Sequence, residues 1–128
     1  MILADTSVWV DHLRKGTPRL AVALNDGNVL MHPFVLGELA CGNLQNRRDV
    51  LRLLADLPGA LVAGEREALE FIERRALMGR GIGYVDVHLL ASAALGNGVR
   101  LWTKDKRLDQ IANELRLAYV QTPNPLAA

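Results

Sequence analysis

The sequence predicts an α/β domain with a mainly parallel sheet that is covered by helices on both faces. Short apolar runs typical of buried strands alternate with longer segments of helical spacing along the chain. The length of 128 residues fits one domain with one core. The pattern contains no internal repeat, linker or low-complexity tract, so we expect a single domain over residues 1–128.

The first half of the chain is divided by turn-forming residues. Gly16-Thr17-Pro18 ends one helix, and Pro18 can open the next. Asparagine, aspartate and glycine at 25–28 are typical of a turn, and Gly42 is a helix stop. The predicted elements are a strand at 2–5, helices at 6–14 and 18–24, a strand at 29–31, and helices at 32–41 and 47–57.

The second half continues the alternation. Pro58-Gly59 ends the preceding helix, and a glycine-rich loop at 79–83 precedes a helix that is apolar nearly all round and therefore buried. The predicted elements are a strand at 60–63, helices at 65–78 and 85–95, a strand at 99–102, a helix at 104–115 and a last strand at 117–121. The tail Pro123-Asn124-Pro125 is expected to be loose.

The cysteine count and the distribution of apolar residues indicate the compartment in which the protein acts. Cys41 is the single cysteine, so no internal disulfide can form and nothing indicates an oxidising compartment. The N-terminal residues lack a basic region before an apolar stretch, and no run of about 18 apolar residues occurs. We therefore expect a cytoplasmic protein without a signal peptide or membrane span.

Charge and hydrophobic content do not identify the binding partner by themselves. The net charge of +1 argues neither for nor against nucleic acid. The twelve arginines against three lysines suit phosphate contacts, but a GC-rich genome would give the same bias. Half of the residues are hydrophobic, which favours a covered partner surface or self-association.

The first strand ends abruptly in Asp5, followed by two hydroxyl residues, Thr6 and Ser7. In an open parallel sheet, ligands bind outside the carboxyl ends of the strands, where Asp5 would stand. The alternative is that Asp5 or Thr6 only caps the following helix.

Three further acids lie where a site is expected. Asp105 follows the predicted strand at 99–102, Asp86 lies in the first turn of an apolar helix, and Glu38 has apolar neighbours within a helix. Each has a structural alternative: Asp105 as a helix cap, Asp86 paired with its helix dipole, and Glu38 facing water. The predicted topology can bring all four acids, Asp5 included, to one edge of the sheet.

Four carboxylates at one place cannot all be ionised without a cation. The oxygen ligands indicate Mg²⁺ or Mn²⁺, and no HExxH, CxxC pair or Walker A sequence suggests a different site. Such a site suits phosphoryl chemistry. Basic residues near the acids could bind a nucleic-acid backbone or simply be solvated: Arg80, Lys104, Lys106 and Arg107.

At these acids the sequence resembles PIN-domain nucleases, and within them the VapC toxins of bacterial and archaeal toxin–antitoxin pairs. The similarity covers nearly the whole chain, and the four motifs occur in the family's order and spacing. They are 5–9 with Asp5, 33–42 with Glu38, 83–93 with Asp86 and 101–108 with Asp105. In the fourth motif, Thr103 precedes the acid by two residues. Asp109 is a fifth acid, one helical turn beyond Asp105.

The resemblance implies a PIN-like three-layer fold with about five short strands, and a metal-dependent endoribonuclease using Mg²⁺ or Mn²⁺. Asp5, Asp86 and Asp105 would be metal ligands, and Glu38 would be a ligand or would orient a metal-bound water. Ser7 and Thr103 would hydrogen-bond the carboxylates or the phosphate. Substrates in the family are structured RNAs, tRNA or ribosomal RNA, hydrolysed in single-stranded loops to leave a 5′-phosphate and a 3′-hydroxyl.

The resemblance also implies partners. They are a second copy of the chain, in a homodimer, and a cognate VapB-type antitoxin that lays an apolar segment into a groove and directs a basic side chain toward the acids. We place that groove between the helices at 6–24 and 47–57, with Trp9 as an exposed anchor unless it belongs to the core.

Two other functions remain open at this stage. One is a phosphatase-like or phosphoaspartyl protein with Asp5 as acceptor, which Lys104 beside Thr103 supports weakly. Ser7 argues against it, because haloacid-dehalogenase-like phosphatases place an acid there. The other is a non-catalytic binding module with a residual acidic pocket.

Overall fold

The computed structural model describes residues 1–120, and its centre is a parallel sheet of three short strands. They are β1 (Ile2–Ala4), β2 (Val29–Leu30) and β3 (Arg100–Trp102), in the order β2-β1-β3. In register, Leu3 lies opposite Leu30 on one side and Leu101 on the other. All three residues are buried, as expected for a parallel sheet covered on both faces.

Seven helices surround the sheet in the described residues. They are α1 (Thr6–Lys15), α2 (Pro18–Asn25), α3 (Pro33–Ala40), α4 (Arg47–Ala55), α5 (Glu65–Arg75), α6 (Tyr84–Leu95) and α7 (Lys106–Glu114). Each predicted helix is present with ends shifted by up to three residues. The largest shift is at α5, which ends at Arg75 because Ala76 adopts a left-handed conformation with φ 53°.

Residues 1–120 contain three strands instead of about five. The predicted strand at 60–63 is wrong: only an isolated bridge between Met31 and Gly59 forms there. The reason lies in β2, because His32 directly after Met31 already caps α3 and leaves no further strand edge to pair with. The strand predicted at 117–121 is likewise reduced to a bridge between Leu101 and Ala118. Residue 121 and the tail expected to be loose lie outside the described residues.

The core lies where β1 and β3 meet the helices α1, α6 and α7. In α6 seven consecutive residues are buried, 87–93, which confirms the buried helix that its composition predicts. Trp9 is only 1 % exposed, so the prediction of an exposed aromatic anchor is wrong and the core alternative is correct. No helix in residues 1–120 is long and apolar enough to cross a membrane.

Candidate active site

Asp5 lies at the carboxyl end of β1, where it both caps α1 and joins two strands. Its Oδ1 accepts hydrogen bonds from the Val8 backbone N–H at 3.2 Å and from the Ser7 hydroxyl. Its Oδ2 accepts the hydroxyl of Thr103, which follows β3. Asp5 is therefore the helix cap. Capping does not exclude a role in the site, because the cap uses Oδ1, whereas Oδ2 is bonded to Thr103 at the end of the neighbouring strand.

The two hydroxyl residues predicted to support the site, Ser7 and Thr103, each form hydrogen bonds that link the end of β1 to the end of β3. Thr103 Oγ1 donates to Asp5 and accepts the backbone N–H of Asp105 at 3.0 Å. Ser7 Oγ donates to Asp5 and accepts the backbone N–H of Lys104 at 3.0 Å. The loop that carries Asp105 is thus fastened to the Asp5 carboxylate at two points, through neutral hydroxyl groups.

The environment of Asp5 disfavours its charge. The side chain is 6 % exposed, and burial raises the pKa of its carboxyl group, while the hydrogen bonds from Ser7, Thr103 and Val8 act in the opposite direction. Water no longer stabilises the negative charge of this buried carboxylate, and a bound cation would do so instead. The hydrogen-bond donors hold the carboxylate in a fixed orientation, as is common for metal ligands.

Glu38 reaches the same edge from α3. Its Oε1 accepts the Thr6 hydroxyl at 2.7 Å, so Thr6 links the first turn of α1 to the acid of the second motif. Glu38 is exposed, as its water-facing alternative predicts, but it is not isolated, because its charge raises the pKa of Asp86. The apolar neighbours Val35 and Leu39 are buried on the other side of α3.

Asp86 lies in the first turn of α6, where Oδ2 accepts the Gly83 backbone N–H at 3.1 Å. The pKa of Asp86 is raised, first by burial and then by the negative charges of Asp105, Asp5 and Glu38. The electrostatic field at Asp86 therefore contains all three of the other acids in the four motifs.

Asp105 follows β3 and caps α7, accepting the backbone N–H groups of Arg107 at 2.9 Å and Leu108 at 3.0 Å with Oδ1. The helix-capping alternative is thus correct for Asp105 as well as for Asp5. Asp109, the fifth acid, is not among the charges that raise the pKa of Asp86, and its carboxylate makes no hydrogen bond or ion pair within residues 1–120.

The other three acids act electrostatically on Asp86, but the four do not form a closed cluster in the described residues. No group of three or more His, Cys, Asp or Glu side chains in residues 1–120 is close enough to hold a metal ion between them. Glu38, Asp86 and Asp105 are each anchored through one oxygen to a helix start or a hydroxyl, whereas both oxygens of Asp5 accept hydrogen bonds. Within the described residues, Oε2 of Glu38, Oδ1 of Asp86 and Oδ2 of Asp105 accept no hydrogen bond.

These unengaged oxygens fit a hard divalent cation. Carboxylate oxygens are the ligands that Mg²⁺ and Mn²⁺ prefer. Burial raises the pKa of Asp5, and burial together with the charges of Asp105, Asp5 and Glu38 raises the pKa of Asp86, so a cation would relieve both. The fixed oxygens orient the side chains, and the other oxygens are available as ligands. The chemistry of the donor set is therefore compatible with the expected metal.

The basic residues near the acids differ in how far they are engaged. Lys104 forms an ion pair with Asp11 of α1, and this contact lowers the pKa of Asp11. Arg80 forms a two-pronged contact with Glu114, at 3.0 Å to each carboxylate oxygen. The Arg107 guanidinium forms no hydrogen bond or ion pair within residues 1–120, which leaves it available for a phosphate.

Gly81 determines where Arg107 lies. The glycine has φ +83°, and a Cβ there would be 2.7 Å from Nη1 of Arg107. The arginine side chain therefore lies directly on the loop that leads into α6 and Asp86. Sequence reasoning had named Arg107 only as one of several cations, and the glycine beneath it was not recognised.

A groove of about 620 Å³ opens between α1, α3, α4 and the connection at 42–46. Its apolar lining comes from Val10, Leu13, Leu39, Leu44 and Val50, and Glu38 and Arg14 supply charges. The expected position between the first helices and α4 is thus partly right: α1 and α4 contribute, whereas no lining residue belongs to α2. One acid of the site, Glu38, is among the lining residues.

Comparison with known proteins agrees with this arrangement. A family model described as the PIN domain matches residues 2–114. The chain is 47 % identical over 121 residues to Ribonuclease VapC32 of Mycobacterium tuberculosis strain CDC 1551 / Oshkosh, covering 94 % of this chain and 98 % of the relative. The protein of the same name from strain ATCC 25618 / H37Rv matches to the same extent. The chain therefore belongs to the PIN-domain family and, within it, to the VapC ribonucleases.

Proposed function

We propose that the protein is the toxin of a type II toxin–antitoxin pair, an endoribonuclease that depends on Mg²⁺ or Mn²⁺ and cleaves structured RNA in tRNA or ribosomal RNA loops. The observation that carries this proposal is the convergence of the acids: Thr103 joins the strand ends that carry Asp5 and Asp105, and the charges of Asp5, Glu38 and Asp105 all act on Asp86. The similarity to a protein named as a ribonuclease supports the substrate class.

In this proposal Asp5, Asp86 and Asp105 hold the metal ion, and Glu38 either binds it or orients the attacking water. When bound, the ion would neutralise the carboxylates, lower the pKa of a water molecule and stabilise charge on the phosphodiester. Hydrolysis would leave a 5′-phosphate and a 3′-hydroxyl.

The chain's own residues prepare this reaction by fixing orientation. Ser7 and Thr103 hold the Asp5 carboxylate, and Thr6 holds Glu38. Arg107, lying on Gly81, would bind an RNA phosphate beside Asp105. Such prior fixation reduces the reorganisation that must accompany the reaction.

The phosphoaspartyl alternative is not favoured. Both oxygens of Asp5 already accept hydrogen bonds, from Ser7 and Val8 on one side and from Thr103 on the other. A phosphoryl acceptor must admit a bulky phosphorus centre in line with its oxygen, which the 6 % exposure of Asp5 opposes, whereas a small metal ion needs only a remaining lone pair. The non-catalytic module is less favoured too, because the chain is 47 % identical to a protein named as a ribonuclease.

The test is RNA cleavage by the purified protein with Mg²⁺ or Mn²⁺. We expect cleavage that EDTA abolishes and that the variants Asp5→Asn, Asp86→Asn and Asp105→Asn lose by about a hundredfold or more. Asp109→Asn is the matched control, because it removes an acid from α7 outside the set and should leave cleavage intact. Full cleavage by Asp5→Asn, or cleavage insensitive to EDTA, would overturn the assigned site.

The proposed protein partner is a VapB-type antitoxin whose apolar segment occupies the groove between α1, α3 and α4. Leu13 and Val50 line the groove, and Glu38, which also lines it, would receive a basic side chain. We expect Leu13→Glu to release the antitoxin while RNA cleavage remains. A complex that survives Leu13→Glu and Val50→Glu together would place the antitoxin elsewhere.

We also propose a homodimer that acts in the cytoplasm, where its RNA substrates are found. Exposed apolar side chains of α5 and the preceding segment provide surface for a second copy: Leu61 (58 %), Val62 (51 %) and Leu69 (57 % exposed). Light scattering after chromatography should give twice the chain mass, and Leu69→Glu should reduce it. An unchanged mass in that variant would exclude this face.

A further inference from the structure

Two exposed aromatic side chains have no role in the chemistry proposed above. The chain has six Phe, Trp and Tyr residues. All six lie in residues 1–120, and only Phe34 (39 % exposed) and Tyr84 (46 %) present large exposed surfaces. Phe34 lies in the first turn of α3, and Tyr84 is the first residue of α6. These are the helices that carry Glu38 and Asp86.

Both rings rest on the same buried side chain, His88. The Phe34 ring centroid is 4.8 Å from that of His88 at an interplanar angle of 69°, and the Tyr84 centroid is 4.5 Å away at 89°. On its other side Phe34 packs edge-to-face on His32, at 5.2 Å. We call Phe34 and Tyr84, joined by His88, the aromatic pair.

His88 supports both rings of the pair from below. It is 2 % exposed, and neither ring nitrogen has a hydrogen-bond partner within residues 1–120. An edge-to-face contact gives a buried imidazole N–H an aromatic face in place of a conventional acceptor. Both exposed rings thus pack on one buried side chain, and rings that are already packed lose less entropy when a ligand binds.

The aromatic pair lies beside the acids. Phe34 and Glu38 are four residues apart in α3, so they share one face of that helix. Tyr84 and Asp86 belong to the same first turn of α6. A chain whose phosphate reaches Asp86 and Glu38 therefore has an aromatic surface within one nucleotide's reach, because neighbouring phosphates and bases are separated by only a few ångströms.

We propose that Phe34 and Tyr84 form a stacking site for an unpaired RNA base next to the phosphate that is cleaved. Every base has a π face that can stack on an aromatic ring, whereas a base within a duplex is already stacked and cannot enter. The pair therefore selects single-stranded segments without reading a sequence. This inference rests on the proposed ribonuclease function, and it adds the residues that discriminate single strands.

A base is the occupant that this position favours over a protein. Neither ring lines the groove assigned to the antitoxin, which is formed from Val10, Leu13, Leu39, Leu44 and Val50. The pair also does not belong to the exposed apolar face of α5. It is continuous with Glu38 and Asp86, where the substrate must lie for cleavage.

The test uses an RNA oligonucleotide with a single 2-aminopurine, whose fluorescence is quenched when the base stacks. With the whole protein in EDTA, so that no cleavage occurs, we expect quenching for single-stranded RNA and none for the duplex. Phe34→Leu and Tyr84→Leu should each weaken binding by about tenfold. Phe34→Tyr and Tyr84→Phe should retain it. Val22→Ala, which removes a similarly exposed apolar side chain from α2 (60 % exposed), is the matched control.

Cleavage kinetics with Mn²⁺ separate this inference from the function on which it rests. We expect each leucine variant to raise KM by about tenfold with kcat unchanged. Cleavage by wild type together with unchanged KM and quenching in both leucine variants would overturn the stacking site alone. No cleavage by wild type with either metal would overturn the proposed function and, with it, the placement of the base. Loss of dimer mass in the leucine variants with normal RNA binding would assign the rings to a second copy and overturn the proposal.

Discussion

Thr103 donates its hydroxyl hydrogen bond to Asp5 although 98 positions separate them, and the same oxygen accepts the backbone N–H of Asp105. A single side chain thereby sets the spacing between the ends of β1 and β3. The two acids are held by a neutral group that adds no charge of its own. One side chain can link the two strand ends because neighbouring strands of a parallel sheet end at the same edge.

Thr103→Val tests this relay, because valine keeps the shape of threonine and removes the hydroxyl. The buried Asp5 oxygen and the Asp105 N–H would both lose a partner, so we expect a loss of about 1–3 kcal/mol in unfolding free energy. Cleavage should fall by about 10- to 100-fold, as for partners that orient metal ligands. Thr103→Ser is the control and should stay near wild type. Equal activity of the valine and serine variants would show that the relay is dispensable.

Asp86→Asn separates stability from activity. Burial and the neighbouring negative charges raise the pKa of Asp86 in the folded protein above its ordinary value of 3.8, so above that pH the folded protein binds more protons than the unfolded chain until both are deprotonated. The contribution of Asp86 to the free energy of unfolding therefore falls as pH rises, and at neutral pH its ionised carboxylate destabilises the folded protein. Asparagine keeps an oxygen for the Gly83 N–H, so Tm at pH 7 should be unchanged or higher while cleavage is lost. A lower Tm at pH 7 than wild type would contradict this account.

The elements around the site could be predicted from local patterns, but the contacts could not. Apolar runs followed by Asp5 and Asp105 place both acids at strand ends. The sequence also favoured a strand at 60–63, which fails because β2 stops before His32 and offers no edge. Trp9 shares a face of α1 with Leu13, which is 37 % exposed, so the burial of Trp9 depends on what α1 packs against, which the local pattern does not contain. The Thr6 contact to Glu38 depends on the packing of α1 on α3, 32 positions apart.

His32 should give the protein an acid-sensitive stability. Its Nδ1 accepts the Phe34 N–H at 3.0 Å, and burial, with the charge of His88, lowers its pKa from 6.5 to about 4. The unfolded chain therefore binds more protons between these values, and stability falls as pH drops from 6.5 toward 4, by at most about 3 kcal/mol.

His32→Asn isolates that effect, because an asparagine oxygen can still cap α3 but does not titrate. Urea unfolding at pH 7 and pH 4.5 should show a smaller difference in the variant than in wild type. The raised pKa values of Asp5 and Asp86 act in the opposite direction in both proteins, so they cancel in the comparison. Identical pH dependence in the two proteins would rule out His32 as the source.

Gly81→Ala should weaken RNA binding by displacing Arg107. The backbone at Gly81 has φ +83°, and the new Cβ would approach Nη1 of Arg107 to 2.7 Å. Gly79→Ala provides a matched control, because Gly79 has φ +69° with nothing within 4 Å of an added Cβ. Both variants should lose about 1 kcal/mol or more of stability from the positive φ.

Only Gly81→Ala should also raise KM for RNA, to a degree comparable with Arg107→Ala, since both remove the same phosphate contact. Combining the two substitutions should then add little, because the arginine that alanine displaces is already absent. If Gly79→Ala and Gly81→Ala raise KM equally, the effect comes from the loop backbone, and Arg107 is not positioned by the glycine.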